Sequence, residues 1–319
     1  LDDARDLQGN VVAGHRAWAP AQLEHLVERF EVSEVLLALA SAERTQRNAI
    51  LDRLRPLSIS VRTLPGILDP AHCKISASDL RPLEIDDLLG RDAIGPDRSL
   101  LERTILDKVV MVTAAGGSIG SELCRQIAAM KPAKLLLFEI NEFALYSIHG
   151  ELECAAEEAG ITLVPLLGSV CDEVRLTRVM EIWRPETVYH AAAYKHVPLV
   201  EHNVVEGVRN NVLGTYQCVT VAQRFGVSDF VLISTDKAVR PTNVMGATKR
   251  AAEMILQAAA KKAQTRFSMV RFGNVLGSSG SVVPLFRNQI AAGGPVTVTH
   301  PEVVRYFMTI PEAAQLVLQ

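Results

Sequence analysis

The chain has no CxxC pair: its five cysteines, Cys73, Cys124, Cys154, Cys171 and Cys218, are scattered and odd in number. This argues against a disulfide framework and against a zinc site, so no metal is expected, and it suits a reducing cytoplasm. No apolar run approaches the roughly 18 residues needed to span a bilayer, and no stretch reads as a signal peptide. Neither sign of charge dominates. A formal net charge of -3 gives no reason to expect nucleic acid or an anionic membrane surface as partner. What is present is an ordinary globular composition, 48% hydrophobic and 22% charged, over 319 residues, enough for two domains. The chain starts at Leu1 and stops at Gln319 inside a helical pattern that begins at Pro311, so it reads as part of something longer.

Two α/β blocks are visible. In the first, a helical Pro20 to Phe30 leads into a strand-like Glu34 to Ala40, then a helical Ala42 to Leu54 and a strand-like Ser58 to Leu64. Such alternation predicts a parallel sheet with crossover helices. The stretch from Arg81 to Arg103, with Pro82, Gly90, Gly95 and Pro96, breaks the periodicity, although Ile85 to Leu89 would suit docking on a neighbour. The reading is a partial Rossmann-like domain over 1–90, a linker over 91–107 and a main domain over 108–319. In the main domain, apolar strands are predicted at Val109 to Thr113, Lys134 to Glu139, Thr162 to Leu167, Thr187 to Ala191, Asp229 to Ser234 and Phe267 to Arg271. Ile119, Leu123, Ile127 and Met130 mark one helical apolar face; Ala251, Met254, Ile255 and Ala258 mark another. Near-continuous apolar strands are covered on both faces, which gives a doubly wound parallel sheet.

Directly after the first of these strands stands Thr113-Ala114-Ala115-Gly116-Gly117-Ser118-Ile119-Gly120, followed by a helix. A glycine-rich turn here lets backbone approach a pyrophosphate seated on a helix N-terminus. Alone, a glycine cluster is equally a tight turn; Glu139, ending the next strand about 20 residues on, favours the nucleotide reading. Its carboxylate would accept from adenosine ribose hydroxyls and repel a 2′-phosphate, which favours NAD while leaving NADP open to a compensating base. The first glycine of the TGxxGxxG spacing is Ala114, an expected weakening of cofactor binding.

Further along stand Ala192-Ala193-Tyr194-Lys195-His196-Val197-Pro198, Asn210-Asn211-Val212-Leu213-Gly214-Thr215, and Ser234-Thr235-Asp236-Lys237 with Met245 and Lys249 on the following segment. Then come Val270-Arg271-Phe272-Gly273-Asn274 through Ser281, and His300-Pro301-Glu302 with Arg305-Tyr306-Phe307. As an isolated pair, Asp236–Lys237 would be a solvated ion pair of little worth; at the C-terminal end of a central strand, where α/β sites lie, it gains a functional reading. His190 reads as a core histidine, His196 equally as structural or functional, and Met245 by itself as packing.

Together these motifs closely resemble the large membrane-anchored bacterial nucleotide-sugar 4,6-dehydratases, extended short-chain dehydrogenases of polysaccharide biosynthesis that act on UDP-N-acetylglucosamine. The resemblance covers about two thirds of the chain. Short-chain dehydrogenases place a tyrosine four before the lysine; in this branch Met245 is the expected residue. The resemblance implies NAD at Thr113, Gly116, Gly117, Ser118, Ile119, Gly120, Glu139, Asp172, Ala192, Asn211 and Lys249, with Ser169 departing from the usual aspartate. It implies Lys249 on the nicotinamide ribose, Thr235 on the C4 oxygen, Lys237 as the C5 base, Asp236 as the acid for the C6 hydroxyl, and Met245 leaving apolar room. Both members of the pair must then be buried, with the Asp236 carboxyl raised. Asn211 would position backbone or water. For the nucleotide diphosphate and sugar it implies Lys195, Asn274, Ser281 and Arg305, with Arg271 as a further donor. It also implies a homo-oligomer, and a full-length protein at the cytoplasmic face of the inner membrane, anchored by helices absent from this chain. Two rivals remain: a UDP-sugar C4 epimerase, which needs no elimination pair, and a degenerate NAD-binding scaffold, for which Met245, Ala114 and Ser169 argue.

Overall fold

The structure, a computed structural model, describes residues 1, 4, 6–37, 44–54, 56–57, 59–63, 81–82, 97–261, 264–278, 282–298 and 300–319. The chain divides into two compact units, Leu1–Asp92 and Ala93–Gln319. In the first, a 3-10 turn at Pro20–Gln22 runs into the helix Leu23–Phe30, which Glu31 ends in the left-handed conformation. Strand Glu34–Leu37, helix Arg44–Leu54 and strand Ser60–Thr63 follow, and the two strands pair in parallel. A short third strand, Arg81–Pro82, adds antiparallel, so this sheet is mixed where alternation alone predicts a parallel one. Leu23, Leu37, Leu51 and Leu54 form its small core.

The second unit opens on α1 (Arg98–Ile105). Leu101 and Ile105 are buried in the main core, so this part of the expected linker is a packed helix; residues 91–96 and the Ile85–Leu89 run lie outside the described residues. Then come β1 (Val109–Thr113), α2 (Ser118–Ala129), β2 (Lys134–Glu139), α3 (Glu142–Glu158), β3 (Thr162–Leu167), α4 (Glu173–Trp183) and β4 (Thr187–His190). The short α5 (Val197–His202) and α6 (Val204–Val208) lead through a π-helical turn at Arg209–Leu213 into α7 (Gly214–Arg224). After β5 (Asp229–Thr235) come a 3-10 turn at Asp236–Ala238, α8 (Val244–Ala260) and β6 (Arg266–Phe272). The chain finishes with β7 (Asn274–Val275), α9 (Val282–Ala291), β8 (Phe307–Met308) and α10 (Ile310–Leu318).

The six long strands form one parallel sheet in the order β6-β5-β4-β1-β2-β3. This is the doubly wound dinucleotide-fold order, with its reversal at β1. Side-chain alternation divides each strand between two cores. Val110, Val112, Leu135 and Leu137 face α1, α2, α3 and α10; Met111, Leu136 and Phe138 face α4, α7 and α8. Both faces are dry, which is why these strands read as continuous apolar runs. β7 pairs with β8 in a separate small sheet. The Thr309 hydroxyl accepts from the Glu312 N–H at 3.2 Å and starts α10, which packs on α2 and puts Ala314, Val317 and Leu318 into the same core. Among the described residues no helix is long and apolar enough to cross a membrane.

One predicted face is shifted. On α8 the buried residues are Met245, Thr248, Lys249, Ala252, Glu253 and Leu256, while Met254 is 56% exposed and Ala258 also faces solvent. The pattern of apolar side chains misplaces the stripe because this helix buries charged residues.

Candidate active site

At the carboxyl ends of β1 and β4 the chain leaves toward opposite faces of the sheet, and a crevice opens between them. It has two adjoining lobes of about 570 and 780 Å³ that share Ile119, Ala191, Ala193, Tyr194, Lys195 and His196. The first lies over the glycine loop, the second over the end of β5.

The glycine loop is built by close approach. A Cβ at Gly120 would meet the Ala114 carbonyl oxygen at 1.9 Å, and one at Gly116 would meet Ala144 at 2.5 Å. Gly117 stands at the N-cap of α2 without a side-chain cap, and it lines the first lobe together with Gly116, Ser118, Ile119 and Gly120. Ala114 adopts φ 52°, the left-handed conformation that costs a Cβ-bearing residue about 1–2 kcal/mol. The position where the usual spacing has glycine thus does take the backbone conformation that glycine adopts at no such cost. Glu139 is buried, and its carboxylate accepts the N–H groups of Gly116 (3.0 Å), Ile140 (2.9 Å) and Asn141 (2.9 Å). It clamps the loop, where the sequence led us to expect an open carboxylate.

Several residues assigned to the cofactor lie beneath the crevice rather than in it. Thr113 is buried; its hydroxyl pairs with His190 Nδ1 at 2.9 Å and accepts the N–H groups of Ala191 and Ala192. Ala192 is buried as well. Asn211 is fully buried in the π-helical turn, where it accepts the Tyr194 N–H (2.8 Å) and donates to the Tyr194 carbonyl (3.0 Å) and the Thr248 hydroxyl (3.0 Å). Extra-wide turns of this kind often mark functional sites; this one ties the wall that carries Tyr194 to the helix that carries Lys249. Asp172 caps α4 by accepting the Arg175 N–H at 2.9 Å, and the Ser169 hydroxyl accepts from Cys171. His190 bridges Thr113 and Thr215 from a fully buried position, as the core reading predicts.

The second lobe gathers Thr235, Lys237, Met245 and Lys249. Thr235 caps the 3-10 turn: its hydroxyl accepts the Lys237 N–H at 3.4 Å and donates to Asp236 Oδ1 at 2.9 Å. Lys237 Nζ donates to the same oxygen at 3.0 Å. Burial raises the Asp236 carboxyl, but the hydrogen bonds from Lys237 and Thr235 outweigh it and hold it below the usual carboxylate range. The expectation of a raised Asp236 is corrected. The pair is also wetter than expected, Asp236 being 53% and Lys237 38% exposed at the side chain.

Lys249 is buried, and its ammonium donates to the Ile233 carbonyl at 2.7 Å. Burial pushes it down to about 8, against the opposing influence of Glu253. Met245 is buried, and Gly246 beside it is required: a Cβ there would meet the Lys237 carbonyl oxygen at 2.3 Å. Asn274 and Arg305 line this lobe; the exposed Arg305 donates to the Val304 carbonyl. Lys195 stands where the lobes meet, and desolvation holds it below the usual lysine range. Ser281 lies outside the described residues. Arg271 is not an open phosphate donor, because its guanidinium is engaged by both oxygens of Glu253 at 2.7 and 2.5 Å. Reading the sequence missed Glu253, Ser234 and Tyr194. Glu253, four residues after Lys249, was the legible one, since that spacing puts both on one helical face. Among the described residues no group of three or more His, Cys, Asp or Glu is placed to hold a metal.

Residues 110–319 match the family model described as polysaccharide biosynthesis protein. The capsular polysaccharide biosynthesis protein CapD of Staphylococcus aureus is 47% identical over 93% of this chain and 50% of its own length. The chain spans about half the length of such relatives. A UDP-N-acetylglucosamine 4,6-dehydratase (inverting) of Campylobacter jejuni is 34% identical over 66% of this chain and 62% of its own. A UDP-glucose 4-epimerase of Rickettsia canadensis is also 34% identical, over 67% and 62%. Among solved structures, a dTDP-glucose 4,6-dehydratase double mutant from Streptomyces venezuelae with NAD bound shares the fold. Its TM-score is 0.58 at 20% identity, over 66% of this chain and 70% of that one.

Two outcomes follow from the geometry. Gly120→Ala should destabilise the protein by about 1–3 kcal/mol in urea denaturation through overpacking against the Ala114 carbonyl; unchanged stability would mean the loop is not held as described. His190 is pushed from 6.5 to about 3, first by burial and then by the Lys249 charge. Below pH 6.5 the unfolded chain therefore takes up a proton that the folded chain refuses, and stability falls with falling pH until about 3. Between pH 7 and pH 5 this loss is about 2 kcal/mol, and it should vanish in His190→Gln. Equal pH dependence of the two proteins would clear the histidine.

Proposed function

Because this chain belongs to the polysaccharide biosynthesis protein family, we propose that it is the NAD-binding part of a nucleotide-sugar 4,6-dehydratase acting on UDP-N-acetylglucosamine. The observation that carries this reading is Asp236 hydrogen-bonded to Lys237 at the end of β5, with Lys237 lining one lobe together with Thr235 and Lys249. The glycine loop fits a dinucleotide: its backbone packs closely enough to line the first lobe with Gly116, Gly117 and Gly120, and it lies at the N-terminus of a 12-residue helix. Gly116, Gly117, Ser118 and Ile119 would hold the pyrophosphate, and Lys249 the nicotinamide ribose. NAD, when bound, supplies the hydride acceptor for C4 of the sugar and returns the hydride to C6, so the overall change is loss of one water.

The residues would do the proton work. Thr235 would hydrogen-bond the C4 oxygen, and the Lys249 charge would favour loss of the C4 hydroxyl proton. Once C4 is a ketone, the C5 proton is acidic. Elimination needs a base for that proton and an acid for the departing C6 hydroxyl. Asp236 rests as the carboxylate, held so by the bonds from Lys237 and Thr235, the reverse of the form its acid role requires. One proton moving along their 3.0 Å hydrogen bond yields a neutral amine and a carboxylic acid, the base and acid needed. A bound sugar would strip water from this half-exposed pair, and desolvation favours the neutral form. Met245 offers no proton and keeps the wall apolar.

A C4 epimerase is the second reading, favoured by the equal identity of the Rickettsia relative. It has no use for an elimination pair. Incubating the full-length protein with NAD and UDP-N-acetylglucosamine separates the readings: a 4-keto-6-deoxy product supports the dehydratase, UDP-N-acetylgalactosamine the epimerase, and no conversion a binding scaffold. Lys237→Ala should abolish turnover while NAD still binds; retained turnover would remove Lys237 from the mechanism.

A further inference from the structure

Glu253 is a fully buried carboxylate on α8, one turn beyond Lys249. Four donors from three elements converge on it: Ser234 Oγ at 2.6 Å from β5, Arg271 at 2.7 and 2.5 Å from β6, and Arg250 at 3.0 Å from its own helix. These fill the roughly four acceptor positions of a carboxylate. A buried ion pair is weak evidence for stability, since packed apolar residues often do as well. The location is more informative. Lys249 bonds the Ile233 carbonyl, Glu253 bonds the next side chain, Ser234, and the residue after that is Thr235. Two successive residues of β5 are thus pinned to α8 directly before the reacting turn.

We infer that Glu253 is a positioning residue for the reaction proposed above, fixing the turn of Thr235, Asp236 and Lys237 against Lys249 and placing a negative charge beside the Lys249 ammonium. The inference rests on that proposed reaction for its catalytic consequence, but not for the electrostatic coupling. Glu253 is held ionised: burial raises its carboxyl, and the bonds from Arg271, Ser234 and Arg250 bring it down to about 2. Its charge opposes the burial that makes Lys249 a weaker base. The other titratable groups around Lys249 are His190 at the end of β4, neutral above about pH 3, and Lys237, Lys195, Tyr194, His196, His300 and Arg305 on the walls of its lobe. Arg250 and Arg271 bond Glu253 itself and remain beside it if it is neutralised.

The test compares full-length wild type with Glu253→Gln. Partial labelling with acetic anhydride over a pH series, read on the Lys249 peptide by mass spectrometry, gives the titration midpoint of that lysine without requiring turnover. In Glu253→Gln the midpoint should fall by about two pH units, the interaction of a charge about 6 Å away in an effective dielectric of about 20, since Arg250 and Arg271 stay in place in both proteins. With UDP-N-acetylglucosamine, kcat should fall about tenfold with little change in KM, and its alkaline limb should move to lower pH with the midpoint. An unmoved midpoint in a variant that still binds NAD overturns the inference. Wild type that labels as expected but makes no 4-keto product would sink the dehydratase reading while the midpoint still decides the coupling. Should Glu253→Gln fail to bind NAD, Ser234→Ala decides: it breaks the strand tie and keeps the charge, so kcat should drop at an unmoved midpoint. Unchanged kcat in that variant overturns the positioning role.

Discussion

The site depends on a single constraint, the reversal of strand order at β1. A crossover between parallel strands is right-handed, so chain moving outward from β1 in one direction must lay its helices on one face, and chain moving in the other direction on the opposite face. The two cores obey this: α2 and α3 pack on one face, and α4, α7 and α8 on the other. At β1 and β4 neither set of helices closes the carboxyl edge, and the crevice is what remains. The glycine loop, the wall from Ala191 to His196 and the end of β5 are brought together by this geometry, although more than a hundred residues separate the first from the last.

Within the crevice floor the fold holds polar groups under opposite rules. Lys249 and His190 are desolvated, and burial makes each a weaker base. Glu253 is equally covered but keeps its charge, because four donors reach it. Buried carboxylates are tolerable only when their lone pairs are used, and Glu139 meets the same condition with three backbone N–H groups. One carboxylate shapes the glycine loop, and the other braces the strand that ends in Thr235. In the proposed reaction the exposed pair, Asp236 and Lys237, would be the one to change partners when a sugar binds.

The strands were legible because both faces of the sheet are buried: β1, β2 and β3 run between the limits their apolar residues suggest, β4 and β5 differ by one residue at one end, and β6 is one residue longer at each end. The glycine loop was legible because Gly116 and Gly120 occupy places where no side chain fits. Partnerships across elements were not. Arg271 looks like a phosphate donor until Glu253 is found against it, and Asn211, expected both at the cofactor and as a residue that positions backbone, holds the Tyr194 backbone. The α8 stripe misled for a related reason: hydrophobicity predicts which side chains avoid water, whereas Lys249 and Glu253 are buried by bonds to β5. Asp236 was misread because its neighbour supplies both the charge and the hydrogen bond that lower it.

Identity to named relatives does not separate dehydration from epimerisation, since one relative of each kind stands at 34%. The two reactions share their opening step and therefore share the loop, the lysine and the hydroxyl. They part only after the ketone forms, when one loses a C5 proton and a C6 hydroxyl and the other merely turns the sugar. The difference must reside in groups able to move two protons at neighbouring carbons. On the proposed reading, the adjacent acid and amine that share one hydrogen bond at the end of β5 would be such groups, and a carboxylate already paired to its proton source would need only the loss of water to exchange roles with it. The half-exposure of that pair, which would weaken it as a structural ion pair, leaves it open to substrate as a proton-transfer pair.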